Sequence, residues 1–132
     1  MFIADRTHSK PIVYVADAEL DQLTNLADQA TGPGSALLRQ EVDRAIIVMP
    51  DEGPQVFVRL NSTVEYADLL SGRTRTVTVV LPQDADIDRD RISLVTPVGA
   101  ALFGLTPGES FAWTAEDGRP CLLIVVSIVN PS

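Results

Sequence analysis

A chain of 132 residues with 45% hydrophobic content can bury one good core with an appendage and does not need two full domains. The net charge is −8 with scattered basic residues, which a phosphate backbone would repel, so direct nucleic-acid binding is not expected. A single cysteine excludes a disulfide framework, and residues 1–10 hold no apolar run long enough for a signal peptide or membrane span, so a cytoplasmic protein with no membrane partner is expected.

Pro11 to Ala16 (PIVYVA) is a short β-branched run that reads as an extended segment. Asp17 is a fitting N-cap for a helix from about Ala18 to Ala30, with Leu20, Leu23, Ala27 and Ala30 on one stripe. Thr31-Gly32-Pro33-Gly34 cannot continue that helix. Ser35 is placed to cap a second one, whose apolar stripe is Leu38, Val42, Ala45, Ile46 and Met49. Two amphipathic helices joined so briefly should pack as an antiparallel hairpin, each arm roughly 20 Å long. Glu41, Asp43 and Arg44 are read as its exposed charged face in preference to part of a partner contact.

Pro50-Asp51-Glu52-Gly53-Pro54 is rich in turn formers, and a boundary is expected there between residues 1–50 and 51–132. Beyond it, Gln55 to Leu60, Thr63 to Ala67 and Arg73 to Leu81 alternate as strands, and Arg73 and Arg75 project from one face. Pro82 to Arg91 is charged and aperiodic. Its Asp84, Asp86, Asp88 and Asp90 mimic the alternate acids of a calcium loop. With Asp84 as position one, however, position six is Arg89 rather than glycine and position twelve is Val95 rather than glutamate, so a solvated loop is expected.

Ile92 to Ser110 joins a strand, a short helix and a turn. Thr96 offers an N-cap hydroxyl, Pro97 suits the first helical position, Gly104 can take the left-handed conformation, and Pro107-Gly108 turns the chain. Ser110 to Ala115 and Arg119 to Val129 flank an Asp117-Gly118 turn as a hairpin. The unbroken run Leu122 to Val126 reads as a strand covered on both faces, with Cys121 a buried, inert thiol.

Several of these segments resemble one family. TPVGAALFGLTPGES followed by FAW (residues 96–113) is similar to the C-terminal domain of the bacterial Gre transcript-cleavage factors, and to their offshoot, the regulator of nucleoside diphosphate kinase family. Asn61-Ser62-Thr63-Val64, Leu70-Ser71-Gly72, Pro82-Gln83-Asp84-Ala85-Asp86 and Leu38-x-x-Glu41-Val42-Asp43-Arg44-Ala45 add to the resemblance, which covers nearly everything after Val13. It implies an α+β fold: a short N-terminal antiparallel helical hairpin, a coiled-coil stub, then an FKBP-like antiparallel β-sheet wrapped on one short helix.

The resemblance also implies RNA polymerase as the partner. In the Gre factors a long hairpin carries two acidic residues into the secondary channel, whereas the tip here has no carboxylate and Asp28 stands alone. The matching helix start implies that Thr96, Pro97, Val98 and Gly99 contact the channel rim. A cap, a preset proline and a small residue for close packing would also account for these four residues without any partner.

No catalytic residue, cofactor or metal site is expected. The only histidine, His8, lies far in sequence from Cys121, no serine sits in a nucleophile elbow, and no glycine run makes a phosphate loop. Phe57, Tyr66, Phe111 and Trp113 are read as core, which ranks prolyl isomerase activity below binding. The expectation is a monomeric, non-enzymatic transcription regulator that competes with Gre-type factors without stimulating cleavage, with an indirect effect on nucleoside diphosphate kinase. The alternatives are a Gre-like cleavage factor and a small-ligand or peptide-binding module.

Overall fold

A computed structural model of the chain describes residues 11–54 and 56–131; His8 lies outside them. The chain starts with a three-residue strand, β1 (Tyr14–Ala16), and a 3₁₀ turn at Asp17–Glu19 leads into α1 (Leu20–Gln29). Ala16, not Asp17, occupies the cap of that turn, and no side chain caps it. The apolar stripe holds: Leu23 and Ala27 are buried and Leu20 and Leu26 pack against the core.

The second helix, α2 (Ser35–Arg44), begins at Ser35 with Gly34 in the cap position, so Ser35 is a buried first-turn residue rather than a cap. It also stops earlier than its stripe suggests. Ile46–Val48 forms β2, which pairs in parallel with β1, and Ile46 and Met49 are 48% and 46% exposed. Three consecutive β-branched residues favour an extended chain, and the β1 edge supplies the partner that a fourth helical turn would have had to forgo.

Gln55 to Leu60 was expected as a strand, yet no ladder forms over the described residues there. Phe57 and Val58 are both buried, which breaks the alternation a half-buried strand needs. Val58 instead exchanges hydrogen bonds with residues 104 and 105 (Val58 N–H to Leu105 O, 2.9 Å; Gly104 N–H to Val58 O, 3.0 Å).

The sheet is built from β3 (Thr63–Asp68), β4 (Thr74–Val80), β5 (Arg91–Ser93), β6 (Ser110–Thr114) and β7 (Pro120–Val129), in the order β5-β4-β3-β7-β6. It is mixed rather than antiparallel, because β5 runs parallel to β4 (Thr78 opposite Arg91, Val80 opposite Ser93). Two 3₁₀ turns, Pro82–Asp84 and Ile87–Arg89, carry the chain back to the start of β4's partner edge, which makes the parallel return possible. The result is an α+β fold whose sheet curls into a half-barrel with a few short helices.

The short helix α3 (Pro97–Leu102) lies inside this curl. Ala100, Ala101, Leu102, Phe103 and Leu105 are fully buried in one cluster with Val64, Val77 and Val79 of the sheet, Val13 and Val15 from the N-terminal segment, and Leu23 and Leu38 of the helix pair. Each buried Val, Leu or Phe side chain among these contributes about 1.5–3 kcal/mol. The two faces of β7 are covered unequally, Leu122 and Ile124 on the second face being half-buried. Leu123 and Val125 are buried while Val126 is 49% exposed, so the unbroken apolar run overstated its burial, and Cys121 is half-exposed rather than buried.

Candidate docking groove

The entry to α3 is fixed by a small set of hydrogen bonds. Thr96 Oγ1 accepts from Gly99 N–H at 3.1 Å and donates to Ser93 O at 2.7 Å, and Pro97 takes the first helical position. Gly99 is required by space: a Cβ there would run into the Ser93 carbonyl. Of the four residues singled out from the sequence, Thr96, Pro97 and Val98 are half-exposed and Gly99 is buried.

Thr96, Pro97 and Val98 form one wall of a groove of about 780 Å³ at the end of the sheet. Much of the opposing surface comes from one face of the strands, with Arg75 paired to Tyr66 across β3 and β4 and Cys121 paired to Trp113 across β6 and β7, and edge residues such as Arg91, which is paired with Thr78 and so belongs to the other face, complete it. Ile87, 82% exposed, and Leu70, 59% exposed, stand at its lips. Little in the amino-acid order announces this groove beyond the lone isoleucine, Ile87, inside a highly charged loop.

The helix pair does not project as a free prong. Gly34 N–H donates to Val95 O at 2.6 Å, a Cβ on Gly34 would strike the Thr96 carbonyl, and one on Gly32 would lie 2.9 Å from Val95 Cγ2. The tip is thus seated on the loop that enters α3. Beside this seat lies a second groove of about 690 Å³, bounded by Pro33, Leu37 and Gln40 on one side and by Phe111 to Thr114 on the other. Pro97 and Trp113 line both grooves. Trp113 stands edge-on to Phe111 with centroids 6.1 Å apart, and its indole N–H is buried without a hydrogen-bond partner among the described residues.

Charged groups around the site have separate structural partners. Arg75 lies 3.6 Å from Asp90, and Asp86 accepts from Asp88 N–H at 3.1 Å while facing Arg89 at 3.7 Å. Burial pushes the Tyr66 hydroxyl above its ordinary pKa, partly offset by the Arg75 guanidinium. A hydrogen bond from Arg119 holds the Asp117 carboxyl below its ordinary range. Among the described residues no group of three or more His, Cys, Asp or Glu side chains could hold a metal ion. Asp28 is exposed, and Thr31 to Gly34 carry no acid.

Glu41 and Arg44 were expected on an outer charged stripe, but Glu41 is fully buried and ion-paired to Arg44 at 2.5 Å; Asp43 is exposed as expected. Arg44 also donates to Pro11 O and lies 5.9 Å from the Phe111 ring centroid. The spacing contains the reason: Glu41 is three residues after Leu38 and so falls on the apolar face, with Arg44 one turn further on to compensate it.

Residues 53–130 match the family described as "Transcription elongation factor, GreA/GreB, C-term". The chain belongs to the GreA/GreB family. Beyond that domain, it is 33% identical over 123 residues to the regulator of nucleoside diphosphate kinase of Escherichia coli (strain K12), covering 91% of this chain and 90% of that protein. A Nitrosomonas europaea structure titled as a prokaryotic transcription elongation factor GreA/GreB superposes with a TM-score of 0.70 at 31% identity, covering 92% of this chain and all of that one. The transcription inhibitor protein Gfh1 of Thermus thermophilus is 34% identical over 84 residues, 62% of this chain and 53% of that protein. No helix among the described residues is long and apolar enough to cross a membrane.

Proposed function

We propose that this protein regulates transcription as a monomer, by docking on RNA polymerase near the secondary channel and competing there with cleavage-stimulating relatives. Thr96, Pro97 and Val98 make the contact, and Gly99 holds the loop that presents them. In this reading residues 51–132 act as an FKBP-like docking unit and the helix pair is the stub of a coiled coil. The observation that carries it is the seated, carboxylate-free tip: a hard divalent cation needs negatively charged oxygen ligands, and Thr31 to Gly34 offer none. Of the relatives' names, one is an inhibitor and one a regulator, while the Nitrosomonas europaea structure is titled an elongation factor, the alternative that the cleavage assay decides. An influence on nucleoside diphosphate kinase would follow indirectly, through transcription.

Binding of the purified chain to core RNA polymerase at low salt tests the proposal. The wild type associates and displaces a Gre factor, Pro97→Arg associates at least about tenfold more weakly, and backtracked complexes keep full-length transcripts when the chain is added. Absence of any association would remove the proposal. Shortened transcripts would replace it with the cleavage-factor reading.

A further inference from the structure

The two edges of the five-stranded sheet are finished differently. At β5 the outward backbone groups of Arg91 are already taken, because Asp86 N–H donates to Arg91 O and Arg91 N–H donates to Asp86 O, both at 2.9 Å. That strand is also only three residues long and carries a charge. Such devices blunt a sheet edge, whose unpaired N–H and C=O groups would otherwise template another strand. The opposite edge, β6, has none of them. Ser110-Phe111-Ala112-Trp113-Thr114 holds no charge and no proline, and it pairs with β7 in one register from Ser110 opposite Ile124 to Thr114 opposite Pro120.

The ladder determines which groups on β6 are open. Val125 N–H donates to Glu109 O at 2.9 Å and Ala115 N–H to Arg119 O at 2.8 Å, so the hydrogen-bonded pairs with β7 fall on residues 109, 111, 113 and 115. The N–H and C=O groups of Ser110, Ala112 and Thr114 therefore turn outward. All three residues are exposed, and no backbone bond from another element reaches them among the described residues. Alongside this edge runs the groove of about 690 Å³ between β6 and α2, with Trp113 and Leu37 in its lining. Glu109 and Glu116 stand at the two ends of the strand, both exposed and neither ion-paired among the described residues.

We propose that β6 takes on an extended segment of another protein as a sixth strand, its alternate apolar side chains directed at Trp113 and Leu37 and its ends carrying Lys or Arg toward Glu109 and Glu116. Main-chain hydrogen bonds to Ser110, Ala112 and Thr114 hold such a segment, and the alternate side chains and end charges select it. A second copy of this chain is a poorer occupant. Antiparallel pairing of β6 with itself about Ala112 brings Glu109 of one chain near Glu116 of the other at both ends, on top of the −8 that each chain carries. The inference does not rest on docking through Thr96, Pro97 and Val98 and goes beyond it.

Trp113 is the only tryptophan and lines the groove, so its emission in the full chain, together with hydrogen exchange of the Ser110, Ala112 and Thr114 amides, reports occupancy. The probes are a peptide of alternating valine and threonine with lysines at both ends, the same peptide ended by glutamates, and two forms of the first that are N-methylated on one or the other alternate set of amides. The lysine-ended peptide is expected to shift the emission and slow exchange at those three amides, and the glutamate-ended one to bind roughly tenfold more weakly. Methylation of the set facing β6 removes the donors to the edge carbonyls and should weaken binding by at least about tenfold, while methylation of the other set leaves it intact. Glu109→Lys with Glu116→Lys, at two exposed positions, should reverse the preference between lysine and glutamate ends. Equal binding of the two methylated forms, indifference to the end charges, or unslowed exchange at the three amides overturns the inference. Self-association of the chain that already slows those amides overturns it too, in favour of a second copy.

Discussion

Gly99 and Arg44 each secure a buried contact that a single substitution would break. The small residue at the start of α3 was legible as a packing requirement from its place one turn into a Thr-Pro-capped helix, and the contact it would violate is the Ser93 carbonyl. Gly99→Ala therefore forces the loop apart and is expected to cost about 1–3 kcal/mol in urea unfolding. Arg44 was misread because charge outweighed position, although the Leu38 spacing already put its partner Glu41 inside. Arg44→Met leaves the fully buried Glu41 without this cation and should lose roughly 3 kcal/mol by the same measurement, and a loss below that of an ordinary surface substitution would refute the buried-pair account. Glu19 adds a pH signature. Burial raises its pKa above 4.5, against the opposing pull of Arg59 at 3.5 Å. Because the folded value is the higher, the stability it contributes is full below 4.5 and is lost as pH climbs through the raised value. Glu19→Gln should thus gain on the wild type as pH rises above 4.5, and parallel stability curves for the two proteins would show that the carboxyl is not raised in the fold.

Local signals decided most elements, and neighbours decided the exceptions. The capped start of α3, the β3–β4 turn and the final hairpin followed from side chains within a few residues of each other. The end of α2, the parallel pairings and the irregular path of residues 56–60 depended on partners distant in the chain, which periodicity does not encode. The seat between the helix-pair tip and the α3 loop is of that second kind, since Gly32 and Gly34 looked like turn residues and turn out also to be contact residues. Gly34→Ala is expected to unseat the tip, lowering stability by about 1–3 kcal/mol and shifting the emission of Trp113, the only tryptophan, which shares its groove. Unchanged emission together with unchanged stability would mean that the seat contributes nothing.

At the scale of the whole molecule, function turns on where the tip is held as much as on which side chains it carries. Ten-residue helices extend only about 15 Å, and the turn joining them rests on the main chain at Val95 and Thr96, so its direction is fixed by the domain behind it. On the proposed reading, if missing carboxylates were the sole reason for the lack of cleavage, supplying them would confer it. Thr31 and Pro33 are exposed, so Thr31→Asp with Pro33→Glu adds two acids without disturbing the glycine contacts. The double variant is expected to bind polymerase as the wild type does and still leave backtracked transcripts at full length, because carboxylates held against the docking domain cannot converge on a metal ion in a reaction centre beyond its reach. Transcript shortening by this variant above the polymerase's own background would show that the seat opens on the enzyme, and the stub would then have to be regarded as a mobile arm whose charge alone had silenced it.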